Sequence, residues 1–341
     1  VTVTGTDLAG NTYPGNDSIV ITLDNTPPTV TLTDTDSDDF LISTDTVTIT
    51  ADFDEAMTST PTISISGTSI SNQVMTKIIG GSDLGPHTVL GADIDGEATY
   101  DESGYSVSLS SDGSRVAIGA PNNDGIYSDN NLNIGHVRIY DFNGSAWVQV
   151  GADIDGEGSS GSSVSLSSDG SRVAIGAPYS SGCGPNNNSG CIPNAGSIRI
   201  YELQSGNWIK LGGDIDGEGQ EDYSGSSVSL SSDGSTVAIG AYYNDGGFGY
   251  YGGGHVRIYN YTPSGTTSWT QLGDDIDGEA ASDRSGMSVS LSSDGSRVAI
   301  GADLNDGTSG NADDNRGHVR IFDYNTTTQA WDQVGADING E

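Results

Sequence analysis

Basic side chains are scarce in this chain. Only 11 Lys and Arg stand against 47 Asp and Glu in 341 residues, for a formal net charge of −36. Such a surface repels nucleic acid and anionic membranes, which excludes both as partners. Cysteine is nearly absent as well: Cys183 and Cys191 are the whole complement. Both sit in one Gly/Asn/Pro-rich loop with no His nearby to complete a metal pair, so they read as a local disulfide formed in an oxidising compartment. No apolar run approaches the ~18 residues that a membrane-spanning helix needs. Long helical patterns are missing too. No Gly-x-Ser-x-Gly elbow, zinc motif or P-loop occurs, and the chain does not read as an enzyme.

What is abundant is turn chemistry. There are 50 glycines, with many Ser, Asn and Asp, about twice the usual glycine share. The fold class is therefore all-β. Within it runs a repeat. Asp-Ile-Asp-Gly-Glu begins at Asp93, Asp153, Asp214 and Asp275, and returns as Asp-Ile-Asn-Gly-Glu at Asp337, a spacing of ~60 residues. In the first repeat Ser106–Ser110 alternates as a strand, and Ser111-Asp-Gly-Ser114 makes a tight turn. Arg115–Ala120 and His136–Tyr140 follow as strands, and Trp147–Val150 closes the unit after an Asn143-Gly144 hairpin signal. Four short antiparallel strands per repeat make one blade of a β-propeller. The blades read as 91–150, 151–211, 212–272 and 273–334, within a propeller region of 81–341 in which a fifth blade opens.

Residues 1–80 differ. Thr/Val/Ile alternation at Thr29–Thr33, Thr46–Thr50 and Thr62–Ser66 predicts half-buried antiparallel strands of a sandwich. Asn25-Thr-Pro-Pro28 marks a joint, so 1–27 reads as the end of one domain and 28–80 as part of the next. The chain opens inside an apparent strand at Val1 and stops at Glu341 as a repeat begins, so it reads as a segment of a longer protein.

Two resemblances follow from these residues. Gly5–Asn11, Asp24–Pro28 and Phe53–Met57 resemble bacterial Ig-like repeats. Ser103–Leu109, Val116–Pro121 and Gly135–Tyr140, recurring around Gly161, Gly225 and Gly286, resemble the FG-GAP repeats of integrin α-subunits and bacterial surface proteins. That resemblance implies a propeller used for adhesion or ligand binding. The family's calcium loop lies between the first two strands. Here it keeps one Asp per repeat (Ser110-Ser-Asp-Gly113 and its counterparts), so those loops are expected to be metal-free turns.

Antiparallel geometry places the loops between strands two and three on the same face as each Asp-Ile-Asp-Gly-Glu turn. Carboxylates at alternating positions around a Gly turn suit Ca²⁺, a hard ion that prefers oxygen ligands. The candidate ligands are Asp93, Asp95, Glu97 and Asp101; Asp153, Asp155 and Glu157; Asp214, Asp216, Glu218 and Asp222; and Asp275, Asp277, Glu279 and Asp283. The alternative is that these residues cap turns. His136, His255 and His318 recur beside Arg138, Arg257 and Arg320, with Ser197 in the second blade, and read as packing. The arginines, Arg199 included, read as partners of acidic groups between blades. Trp147, Trp208, Trp269 and Trp331 read as interblade core. Tyr242, Tyr243, Phe248, Tyr250 and Tyr251 crowd one loop and are the candidate ligand-binding aromatics.

The expected function is an extracellular or cell-surface adhesion or ligand-recognition module, helped by Ca²⁺ and meeting a protein or glycan partner. The alternatives are a carbohydrate-binding propeller accessory to an extracellular enzyme, and a structural spacer.

Overall fold

The computed structural model describes residues 90–125, 133–181, 191–245, 252–263, 268–307 and 315–341 in full, and the strand backbones alone before residue 90. The chain divides into two compact units, Val1–Val89 and Leu90–Glu341. In the first unit β1 (Ser18–Val20), β2 (Thr29–Thr33) and β3 (Thr50–Phe53) form an antiparallel sheet. The strands β4 (Thr62–Ile63) and β5 (Gln73–Val74) pair separately. These short strands do not establish the expected Ig-like sandwich, and Gly5–Asn11 and Thr46–Ile49 lie outside the described residues.

The second unit is all-β, with four antiparallel blades and no helix among the described residues. In the first blade β6 (Ser106–Leu109), β7 (Arg115–Ala120) and β8 (His136–Phe142) lie in order. The outer strand comes in two pieces. One, β9 (Trp147–Gln149), pairs with the end of β8; the other, β10 (Ile154–Asp155), pairs with its start. Between them the chain bulges at Gly151, which has φ of +75°. As sequence, Asp-Ile-Asp-Gly-Glu reads as a polar turn opening the next blade. Its Ile-Asp pair instead completes the preceding sheet, because Ile154, Ile215 and Ile276 are buried there against the core.

The hydrophobic cores lie between blades. Ala117, Val137, Ile139 and Ile154 of the first blade pack with Val164, Leu166, Val173 and Ile175 of the second. Equivalent clusters fill the next two seams. This explains why each second strand reads as a continuous Val-Ala-Ile-Gly-Ala run: neighbours cover both of its faces. The glycine of that run is required. A Cβ at Gly119, Gly176 or Gly240 would overlap the carbonyl oxygen of Gly161, Gly225 or Gly286 in the next blade. Polar bonds then fix the register. Ser106, Ser163 and Ser227 hydroxyls donate to those same carbonyls at 2.7, 2.8 and 2.7 Å. Three Trp indole N–H groups donate backwards across a seam, Trp208 to Val150, Trp269 to Leu211 and Trp331 to Leu272, at 2.9, 2.8 and 2.7 Å.

Candidate metal centres and a tyrosine cluster

The Ser-Asp-Gly turns between strands one and two are closed by their own side chains. Asp112 accepts from the Ser110 hydroxyl at 2.7 Å and the Ser114 amide at 2.9 Å. The Ser114 amide is the main cause holding this carboxyl down to about 2. At Asp294 the Ser292 hydroxyl leads, with the same result, about 2.

At the opposite end of the blades the acidic motifs meet the third strands. Glu97, His136 and Asp153 present ligand atoms within 4.8 Å of one another, as do Glu218, His255 and Asp275, and Glu279, His318 and Asp337. Each group draws on three stretches of chain: the connector before the blade, the start of the third strand, and the break in the outer strand. One Asp-Ile-Asp-Gly-Glu motif thus serves two blades. Asp275 belongs to the third-blade group and Glu279 to the fourth.

The histidines are deeply buried and the glutamates about half exposed, with His Nδ1 to carboxylate distances of 3.7, 3.5 and 3.7 Å. Burial first, and then Arg257, holds the His255 imidazole below its ordinary value. Two carboxylates so close repel by on the order of 1–4 kcal/mol at effective dielectrics of 80 to 20. The Asp in each group accepts a neutral amide bond, from Gln149, Gln271 or Gln333 at 2.6, 2.6 and 2.7 Å. These acidic and imidazole groups are placed to hold a metal ion.

The second blade departs from this pattern. Ser197 replaces the imidazole, and Lys210 replaces the glutamine. Asp214 there contacts Lys210 Nζ at 2.7 Å and Arg199 Nε at 3.2 Å. Burial raises its pKa, but Lys210 and Arg199 outweigh that and leave it lowered. In the other blades the arginine reaches back to the preceding motif. Arg138, Arg257 and Arg320 donate to the carbonyls of Asp95, Asp216 and Asp277 at 2.7, 2.8 and 2.6 Å.

The candidate calcium ligands are therefore only partly gathered. Glu97, Asp153, Glu218, Asp275 and Glu279 enter the three groups. Asp93, Asp95, Asp155, Asp216 and Asp277 do not, and Glu157 and Asp214 are engaged by Arg199. Asp101, Asp222 and Asp283, read as fourth carboxylates, are buried and committed elsewhere. They accept from the amides of Ala98, Gly219 and Ala280 at 2.9, 2.7 and 3.0 Å, and from Asn123, Asn244 and Asn305. The carboxylate caps the connector and ties it to the long loop, as an Asx-type bond does. Sequence reasoning missed the three histidines and Asp337 as members of these groups.

Tyr242 and Tyr243 join a cluster that the sequence did not assemble. Tyr223 stacks on Tyr242 with centroids 5.8 Å apart and planes 16° apart. Tyr179 and Tyr243 meet Tyr223 edge-on at 5.3 and 5.8 Å. The Arg284 guanidinium lies over Tyr242 at 5.3 Å and pairs with Asp303 at 3.3 Å. Tyr179 and Tyr243 remain 51% and 47% exposed. Burial raises the Tyr223 and Tyr242 phenols, so both keep their O–H donors at neutral pH. Phe248, Tyr250, Tyr251 and Cys183 lie outside the described residues; Cys191 is disulfide-bonded.

Comparison with known proteins finds no matching family model and no matching curated protein. Solved structures of similar shape exist. Hydrazine synthase of Kuenenia stuttgartiensis has 14% identity and a TM-score of 0.41, over 74% of this chain and 53% of that one. A 6-phosphogluconolactonase-like structure from Bacteroides uniformis has 12% identity and a TM-score of 0.42, over 70% and 57%. The periplasmic gluconolactonase PpgL of Pseudomonas aeruginosa has 16% identity and a TM-score of 0.41, over 69% and 57%. This chain thus spans little more than half of each.

The chain is a β-propeller, and the FG-GAP resemblance carries no further than that. Two expectations are corrected. The similar structures are enzyme-type propellers, not adhesion modules, so the adhesion function and the exclusion of an enzyme both fall. At these identities the likeness extends to the fold alone, and no reaction is transferred from it. No helix among the described residues is long and apolar enough to cross a membrane.

Proposed function

We propose that this chain is a carbohydrate-binding propeller module of an extracellular protein, with Tyr179, Tyr223, Tyr242 and Tyr243 as its platform. The observation that carries this reading is that the cluster occurs once among the described residues. A side chain needed by the blade recurs in every blade, as the tryptophans and Ser-Asp-Gly turns do. Tyr223 holds the position that is Glu102, Ser159 and Arg284 in the other blades, and Tyr179 and Tyr243 share, in the second and third blades, the position that is Asn122 and Leu304 in the first and fourth. The positive φ at this position recurs in every blade, at 56°, 59°, 53° and 61° for Glu102, Ser159, Tyr223 and Arg284, so the backbone conformation belongs to the blade and only the tyrosine side chain is particular to the third.

Tyrosine offers a flat apolar face with a hydrogen-bonding rim. A saccharide matches it, with a C–H face and a rim of hydroxyls. The charge of −36 selects a neutral glycan over a polyanion, and the one cation in the cluster is already paired with Asp303. The disulfide at Cys191 suits an extracellular setting. Bound cations, Ca²⁺ among them, fit as support in this reading, since the acidic groups recur and the platform does not.

The test is binding of neutral polysaccharides by affinity electrophoresis and calorimetry. Tyr179→Ala and Tyr243→Ala should each weaken binding about tenfold, with unchanged thermal midpoints. Tyr105→Ala, at an exposed tyrosine of the first blade, should change nothing. Equal binding by all three variants would remove the platform from the proposal.

A further inference from the structure

We propose that three blades of this propeller each bind one divalent transition-metal ion of the Zn²⁺ class, through Glu97–His136–Asp153, Glu218–His255–Asp275 and Glu279–His318–Asp337, and that Lys210 takes the place of that ion in the second blade. The inference is independent of glycan binding.

Three acidic clusters alone would not carry it, because exposed carboxylates crowd this surface. Two further observations point to a ligand. The first is one orphaned imidazole nitrogen, in the fourth blade. His318 Nδ1 is buried, its side chain 1% exposed, and it has no hydrogen-bond partner. It points at Glu279 Oε2 from 3.7 Å, too far for a hydrogen bond and close enough to share an ion. Buried polar atoms are nearly always satisfied, so an imidazole nitrogen without a hydrogen bond, within 4.8 Å of two carboxylates, is suited to a ligand shared with them.

The second observation is a paired substitution. Where the imidazole is lost, at Ser197, a cation is gained, at Lys210. Lys210 lies four residues before Asp214, as Gln149, Gln271 and Gln333 lie four before Asp153, Asp275 and Asp337. The three blades with a histidine leave their Asp with a neutral glutamine. The one blade without it supplies a permanent charge, at 2.7 Å from the carboxylate. In those three blades an arginine stands by the Glu of the group, at 3.8, 3.2 and 3.9 Å, but the Asp has only its glutamine; the chain gives that Asp a cation of its own only where the imidazole is missing.

The donor set selects the ion. One imidazole nitrogen with two carboxylates suits zinc and its first-row neighbours, whereas Ca²⁺ takes six to eight oxygens. Three protein ligands leave a zinc position for water. An ion at this point ties the connector (Glu97) to the third strand (His136) and to the break in the outer strand (Asp153). It therefore closes the blade at the end where the sheet hydrogen bonds are interrupted.

Calorimetric titration of the full chain with Zn²⁺, after chelator treatment and at moderate salt, tests this. The expected stoichiometry is three, with Zn²⁺ bound at least tenfold more tightly than Ca²⁺. His318→Gln should lower it to two. The triple variant E97Q/E218Q/E279Q changes only half-exposed side chains and remains foldable even where loss of a buried histidine is not tolerated; it should lose the three sites. Wild type and triple variant titrating alike would show only diffuse binding to an acidic surface and would overturn the proposal. Tighter binding of Ca²⁺ than of Zn²⁺ would overturn the ion class. The double variant S197H/K210Q should raise the stoichiometry to four. A count that stays at three would overturn the role of Lys210.

Discussion

At Gly176 one methyl group decides whether two blades fit. Its Cβ would overlap the Gly225 carbonyl oxygen, a backbone atom that cannot move aside. The same residue in the fourth blade, Gly301, would meet only the Ser288 side chain at close range, and a hydroxyl can rotate. Gly176→Ala should therefore cost about 1–3 kcal/mol of stability, as overpacked cores do, and Gly301→Ala less than ~1 kcal/mol. Urea melts of both variants check this; equal losses would mean that seam clearance is not what the glycine provides. The Ser-Asp-Gly turns make a pH prediction. Asp112 and Asp294 are held at about 2 by hydrogen bonds from neighbouring serines. Their folded values lie below the ordinary one, so their contribution is complete above about pH 4 and is lost as pH falls towards 2. The urea midpoint should fall across that window. In D112N/D294N it should fall less, and parallel curves would assign acid lability to other carboxylates.

Strands of identical sequence have different fates, which sets the limit on what the repeat could reveal. Ser106–Leu109 and Ser163–Leu166 both read Ser-Val-Ser-Leu. Val164 and Leu166 are 8% and 7% exposed, packed on the first blade, while Val107 and Leu109 are 63% and 59% exposed. Leu166→Ala should cost about 2–5 kcal/mol and Leu109→Ala within ~0.5 kcal/mol of nothing; similar thermal shifts would contradict the difference in burial. The blades themselves were legible because period-two alternation, Gly turns and a fixed spacing all agree. The metal groups were not, and the reason lies in Gly151. The carboxylates were read as one local set, Asp153, Asp155 and Glu157. The bulge at Gly151 leaves Asp153 beside His136 of its own blade, while Glu157 passes to the next. Ligands of one group therefore come from motifs a whole blade apart. The histidines were read as packing because the second blade lacks one. The clue in the sequence was the exchange of Gln for Lys at position 210 alongside that loss.

Across the whole molecule, charge works against the fold. A net −36 favours any expanded state in which the carboxylates draw apart. The ion pairs are too few to reverse this. Arg115–Asp141, Arg172–Glu202 and Arg297–Asp323 rivet the blades locally, but partly exposed pairs contribute little each. Two kinds of cation effect should consequently separate. Raising NaCl from about 0.01 to 0.15 M shortens the screening length from roughly 30 to 8 Å, and should raise the thermal midpoint of wild type and E97Q/E218Q/E279Q alike. Zn²⁺ in slight molar excess hardly changes ionic strength, so its stabilisation comes only from sites present in the native state. It should raise the midpoint of wild type and leave that of the triple variant in place. Blades stacked in a row pass stability to their neighbours through each seam, so three bound ions should sharpen a single transition. A midpoint that falls with NaCl would mean that the ion pairs outweigh the general repulsion, and that the acidic surface is not what the metal sites relieve.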